Sequence, residues 1–410
     1  MEHNSLINNL LSFVEDEDEL RDSVKGINEC VNKTFQVCWN TCNNLNDKTS
    51  RVFEIESVLD YLYDELNTGH WSEVPLKVRK AFTAASFAKT IIILKTTMTC
   101  THCIIEECLK TLDMGILLGA PLENNSDVLT NCATFLSKQL NNTPNCESTQ
   151  KIETTMKVKS RSQYFDNFEN LKGVTVDTLS CPSLETFNNK YFCKKVPLKL
   201  QDCVSHWPAL TKWPDVNYLL KIAGDRTVPV EIGSHYADEN WRQKLMTLKD
   251  FIKNYFLGES DSIGYLAQHN LFNQIPELRE DIYVPEYCSL SDMDEDGEPD
   301  VNAWFGPANT VSPLHHDPKN NVLVQVFGTK QLILYAPSDS SYLYPHESNL
   351  LSNTAQVDPF KPDAEKYPNF AKANAYKCIL EPGEMLYIPP KWWHHVTALD
   401  KSFSVSFWWN

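Results

Sequence analysis

The chain of 410 residues is long enough for two or three domains. Its 42% hydrophobic and 22% charged residues are ordinary globular composition, which excludes a wholly disordered or fibrous protein. With 37 Lys and Arg against 54 Asp and Glu, the formal charge of −17 speaks against nonspecific binding to nucleic-acid phosphates and suits a partner bearing positive charge.

The opening residues, MEHNSLINNLLSFVEDEDEL, lack a basic start followed by a long apolar run, so no secretory signal is expected. The most apolar stretches, such as Thr90–Leu94, fall far short of the ~20 residues of a membrane span, so no membrane partner is expected. Thirteen cysteines without a signal fit a reducing cytosolic or nuclear compartment, and an odd number excludes complete internal pairing. Cys100-Thr-His-Cys103 and Cys38/Cys42 have spacings that admit zinc, but no second pair completes either site. Reduced, mostly buried thiols are expected instead.

Residues 1–140 read as a helical, partner-binding module. Apolar residues recur at helical spacing over 52–66 and 78–94, and the character continues over 113–118. Gly69, in Asn67-Thr68-Gly69-His70, is a plausible stop after the first of these. Residues 141–173 turn polar and read as a linker. Lys157, Lys159 and Arg161 there form either a weak nuclear-import patch or, more simply, a solvated stretch.

From residue 174 to 410 the texture changes to short alternating runs punctuated by Pro and Gly. Residues 227–232, 321–327, 330–335, 384–388 and 402–408 read as strands of an antiparallel sandwich or barrel, with helical inserts over 213–222 and 248–255. The fold class is therefore α+β. The acidic segment 292–300 carries six carboxylates in nine residues and opens like a calcium loop. Ala303 stands where the bidentate Glu is needed, so calcium is rejected in favour of a solvated loop, with a lip that attracts a cationic substrate as the weaker alternative.

The informative stretch is Ser312-Pro-Leu-His315-His316-Asp317-Pro318. On a strand, residues two apart share a face, which puts His315 and Asp317 together, about 7 Å apart at the backbone, and turns His316 away. His394, in PGEMLYIPPKWWHHV, is the candidate third ligand. Two His and one carboxylate on one face of a metal leave three positions open, the arrangement of non-haem Fe(II) oxygenases. An isolated HxD pair is weak; the distant His in its own context strengthens it. The turn Gly328-Thr329 reads as a two-residue hairpin between 321–327 and 330–335. Asn321, Leu323, Gln325 and Lys330 would then share one wall. Lys330 is either a solvated turn residue or a buried cation awaiting a carboxylate, since an unpaired buried ammonium is very costly.

These residues strongly resemble the JmjC domain of Fe(II)- and 2-oxoglutarate-dependent oxygenases. The resemblance runs through TVPVEIGSHY, GYLAQHNLFNQIPELREDI, NAWFGP, SPLHHDP, NVLVQVFGTK and SFSVSFWWN, with YDELNTGHW and DMGILLGA in the helical half. It implies a double-stranded β-helix of the cupin type, Fe(II), and 2-oxoglutarate and O2 as co-substrates. It carries the iron ligands onto His315, Asp317 and His394. The 2-oxoglutarate contacts fall on Tyr265, Ser312, Asn321 and Lys330, with Trp304 and Trp408 lining the pocket. Glu231, Trp241 and Trp304 fall at the substrate pocket, where a carboxylate and aromatic walls suit a guanidinium. Hydroxylation of arginine C3 in a basic, histone- or chromatin-associated protein, in the nucleus and conceivably the cytoplasm, is the leading expectation. Histone lysine demethylation, histone-tail cleavage and a noncatalytic chromatin adaptor are the alternatives.

Overall fold

A computed structural model gives the fold. It describes every residue except 1–2, 45–48, 71–72, 98–100, 143–167, 169–170, 237, 239–240, 259, 261, 292–296 and 349–350. Lys157, Lys159, Arg161, Cys100 and the start of the acidic loop thus lie outside the described residues. Two units are present. The first takes in Met1–Gln150 with Leu220–Thr227 and Asn273–Glu277; the second holds the rest.

In the first unit the helices are α1 (His3–Leu11), α2 (Glu17–Asp22), α3 (Glu29–Asn43), α4 (Val52–Leu66), α5 (Leu76–Thr96), α6 (His102–Leu118) and α7 (Val128–Asn142). Helix α4 is the span read from helical spacing. Asp16 and Asn28 cap α2 and α3, their side chains accepting from Glu19 N and from Cys30 N and Val31 N. Helix α5 is apolar all round, through Phe82, Phe87 and Ile91–Leu94 with Ala81, Ala84, Ala85 and Ala88 between them. Such a helix must be enclosed, and α3, α4 and α6 surround it. Gly115 lets α6 close in: a Cβ there would stand 2.5 Å from Leu129 and 2.7 Å from Ser86. Cys38 and Cys42 are buried and free, and burial pushes both thiols up. Among the described residues they belong to no metal-holding group.

Sequence position alone did not place Arg226 in this unit. Its Nη2 donates to Asp113 Oδ1 at 2.7 Å and its Nε at 3.0 Å, with both side chains fully buried. Thr227 N and Gln274 Nε2 donate to the same carboxylate at 2.7 and 2.8 Å. Removing one partner of a buried pair strands the other charge, at a cost of about 3–5 kcal/mol. Asp113→Ala is therefore expected to lower the melting temperature sharply, measured by calorimetry. A change within 1 °C would show the pair to be dispensable.

The second unit is a β-sandwich of two sheets. The five-stranded sheet runs β1 (Gly173–Thr175), β11 (Ala375–Leu380), β10 (Lys330–Tyr335), β13 (Trp393–Ala398), β8 (Val311–His316). The nine-stranded sheet runs β2 (Thr178–Ser180), β3 (Leu198–Gln201), β12 (Met385–Ile388), β9 (Asn320–Phe327), β14 (Ser402–Trp409), β7 (Asp300–Gly306), β6 (Gly264–His269), β4 (Thr227–Ile232), β5 (Arg242–Thr247). From β8 onward the chain passes repeatedly from one sheet to the other, which is the winding of a cupin-like double-stranded β-helix. Leu323, Leu332, Leu334, Leu386 and Ile388 form one core cluster. On the other face of the five-stranded sheet, Ile333, Tyr335 and Trp393 pack with Leu343, Val357, Tyr367 and Phe370.

One expectation is corrected here. Gly328-Thr329 does not close a hairpin: β9 pairs with β12 and β14, and β10 pairs with β11 and β13. Gly328 adopts φ +72°, and Asp400 Oδ1 accepts from Thr329 N at 2.6 Å, so the turn carries the chain across to the opposite sheet. Both strands are buried along their whole length. Each therefore needs a partner strand on either side. Gln325, on the same face of β9 as Asn321 and Leu323, donates to Phe327 O and accepts from Ser404 Oγ.

Candidate active site

Strands β8 and β13 are antiparallel neighbours, and His315 lies directly opposite His394. Their rings stand 4.3 Å apart, centre to centre. Asp317 follows the end of β8, and its Oδ2 is 3.6 Å from His394 Nε2 and 4.0 Å from His315 Nε2. One ligand atom from each of the three lies within 4.8 Å of the others. Asp317 Oδ2 is buried with no hydrogen-bond partner among the described residues. The imidazoles are turned by their own strands: His315 Nδ1 is 2.7 Å from Pro313 O and His394 Nδ1 is 3.0 Å from Trp392 O. A carbonyl can only accept, so Nδ1 carries the proton and Nε2 offers its lone pair inward. Burial pushes His394 down to about 4, keeping it neutral as a ligand must be. These donors fit a divalent iron with open coordination positions.

His316 and His395 point elsewhere, as alternation requires. His316 meets the Trp393 ring edge-on at 4.6 Å, and His395 meets Phe360 at 5.2 Å.

Tyr265, Trp304, Ser312, Asn321, Lys330 and Trp408 line the same cavity as the triad. Lys330 is buried, and the described residues give its ammonium one hydrogen bond, to Tyr265 Oη at 3.2 Å. Burial pushes it down to about 7. The Tyr265 phenol is pushed up, first by burial and then by the Glu231 charge. Asn321 Oδ1 and Trp408 Nε1 are buried without partners among the described residues, while Trp304 Nε1 donates to Ser406 Oγ at 2.9 Å. An enclosed cation with unpaired polar groups around it is a socket for an anion. Sequence reasoning missed Ile388, Val396 and Ser406 in this lining. Their inward phase on β12, β13 and β14 was the available signal.

Glu231 and Trp241 are absent from that lining. Glu231 lies opposite Tyr265 across β4 and β6, with the Trp241 side chain near its half-buried carboxylate. Burial raises its pKa above the usual carboxylate range. Tyr236, also missed, meets the His315 ring edge-on at 6.2 Å and shares a hydrogen bond with Thr354 Oγ1 at 3.2 Å.

Residues 183–410 match the cupin-like domain family. Jumonji C domain-containing protein 5 of Drosophila melanogaster is 42% identical over 361 residues, 87% of this chain and 86% of that protein. This chain belongs to the JmjC family. A second JmjC relative, lysine-specific demethylase 8 of Danio rerio, is 42% identical over 359 residues, 86% of each chain. Lysine-specific demethylase JMJ30 of Arabidopsis thaliana is 36% identical over 382 residues, 87% of this chain and 85% of that one. JmjC oxygenases depend on Fe(II) and 2-oxoglutarate, and this chain has a His-Asp-His group able to hold a metal.

Proposed function

We propose that this JmjC oxygenase hydroxylates C3 of arginine in a basic, chromatin-associated protein substrate, in the nucleus. Glu231 carries the reading. It is a half-buried carboxylate near an indole, with no ion pair to a basic side chain among the described residues. A guanidinium would satisfy it bidentately, and Trp241 and Trp304 supply flat apolar walls. The net charge of −17 favours a basic partner.

In this reading His315, Asp317 and His394 hold Fe(II). Lys330 and Tyr265 hold the far carboxylate of 2-oxoglutarate, with Ser312 and Asn321 beside it. Trp304, Trp408, Leu323, Ile388 and Val396 wall the cavity and exclude water. Bound iron supplies the coupling chemistry: 2-oxoglutarate and dioxygen give succinate and carbon dioxide, and one oxygen atom enters the substrate C–H bond. The protein's part is to orient the two substrates on the open side of the triad.

A second reading, N-methyl-lysine demethylation, rests on the names of the zebrafish and Arabidopsis relatives. Mass spectrometry of candidate peptides incubated with enzyme, Fe(II) and 2-oxoglutarate separates the two. Arginine hydroxylation adds one oxygen atom to the peptide. Demethylation removes a methyl group and releases formaldehyde, and that outcome would replace the arginine reading. Glu231→Gln keeps the size and removes the charge. It is expected to weaken peptide binding by about one to two decades, equivalent to roughly 1.5–3 kcal/mol, while succinate still forms without peptide hydroxylation. Equal peptide hydroxylation in variant and wild type would remove Glu231 from the substrate site.

A further inference from the structure

Strands β2 and β3 run parallel, with Ser180 opposite Gln201. Just beyond them, two cysteines converge on one carbonyl. Gln201 O accepts from Cys181 N at 2.9 Å and from the Cys203 thiol at 3.1 Å. Tyr287 closes the cluster: its hydroxyl lies 3.7 Å from Cys203 Sγ and donates to Pro182 O at 2.7 Å. Continuing the register, Cys203 lies one residue beyond the position opposite Cys181; with strands about 4.8 Å apart and a rise of about 3.3 Å per residue, such diagonal neighbours are about 6 Å apart, within the roughly 4.4–6.8 Å of Cα separation that a disulfide spans. Cys181 and Asp202 sit at φ +39° and +63°, so tight turns set the approach of the two cysteines. Both cysteines are free; Cys181 is exposed and Cys203 half-buried.

We propose that Cys181 and Cys203 are a redox modification site that closes reversibly into a disulfide. Hydrogen peroxide is the oxidant class. The exposed Cys181 thiolate attacks one peroxide oxygen, the O–O bond breaks, and the second oxygen leaves as hydroxide, which takes up a proton to become water. Cys181 is left as a sulfenic acid. The Cys203 thiolate then attacks that sulfur and expels its oxygen, which leaves as the second water. Two thiols lose two electrons and two protons, and one peroxide becomes two waters. The order follows from access: burial raises the Cys203 thiol, so it waits for a neighbouring electrophile. A dithiol reductant reverses the bond.

The cross-link would close a loop over residues 182–202. That loop carries Phe187 and Phe192, which pack on Tyr387 of β12, and Tyr387 Oη donates to Asn320 Oδ1 of β9 at 2.9 Å. The bond would therefore brace this edge of the nine-stranded sheet. It touches no residue of the triad or the anion socket.

The test uses the full chain treated with hydrogen peroxide, alkylated, digested without reduction and mapped by mass spectrometry. A cross-linked peptide joining Cys181 to Cys203 is expected within one chain. It should vanish on dithiothreitol treatment and be missing from Cys181→Ser and from Cys203→Ser. Oxidised wild type should melt a few degrees above reduced wild type, and that gain should be lost in both variants. Peroxide that leaves Cys203 alkylatable while Cys181 proceeds to sulfinic acid would overturn the proposal. So would a cross-link found only between chains on a non-reducing gel. The mapping needs wild type alone, so it decides even if a variant folds poorly.

Discussion

Asp317→Ala is expected to abolish 2-oxoglutarate turnover, and His315→Ala and His394→Ala to do the same. Each leaves two protein ligands where three converge within 4.8 Å. Loss of a group behind a ligand already costs about 10–100-fold in metal affinity or activity, so loss of a ligand should cost about 100-fold or more. Succinate release measures turnover. Metal content of the purified proteins gives an independent reading and should fall in parallel. His316→Ala is the contrasting variant. His316 lies on the other side of β8 against Trp393, so it should keep turnover within about tenfold of wild type, the lower end of the loss above. Metal retained by Asp317→Ala at the wild-type level would show that the carboxylate is no ligand.

Lys330→Ala should weaken 2-oxoglutarate binding by about one to two decades and leave metal content unchanged. It removes a hydrogen-bonded counter-charge worth roughly 1.5–3 kcal/mol but no ligand. Unaltered co-substrate affinity would defeat the assignment. The same residue sets a pH dependence. Its pKa falls from 10.5 to about 7 because burial disfavours the ammonium. The free protein therefore loses this charge as pH rises through about 7. A dicarboxylate prefers the charged form, so its binding takes up a proton above that pH. Affinity should be full below about pH 7 and decline by up to about tenfold per unit above it. Titration calorimetry in buffers of different ionisation enthalpy would detect the proton uptake, and Lys330→Ala should lack it. Stability runs the other way. The unfolded chain holds this proton more tightly, so the burial cost is complete below about pH 7 and fades between about 7 and 10.5.

The chemistry of this protein was legible wherever it depended on local phase. Alternation along β8 put His315 and Asp317 on one side and His316 on the other, and the structure keeps that division. Helical periodicity delimited α4, and the alternating runs located β4, β10 and β14 to within a residue. These features follow from the 2.0 and 3.6 residue repeats of the backbone, which any window of sequence contains. His394 was proposed from its own PGEMLYIPPKWWHHV context, and the motifs of the JmjC resemblance added Tyr265, which lines the same cavity; no local period could have joined either to His315 and Asp317.

Tertiary structure decided what depends on which strand lies beside which. The turn at Gly328 was read as a hairpin because a two-residue loop between alternating runs usually is one. Whether it closes or crosses depends on whether other strands occupy both edges of β9 and β10, and they do. Lys330 and Asn321 share the cavity because they face each other from opposite sheets rather than along one. Likewise Arg226, far from Asp113 in sequence, completes the helical unit, and Cys181 and Cys203 converge on the Gln201 carbonyl only because β2 and β3 run parallel. Short repeats along a chain specify which way a side chain points. Only the packed fold, where each buried charge or strand edge must find a partner, determines what it meets.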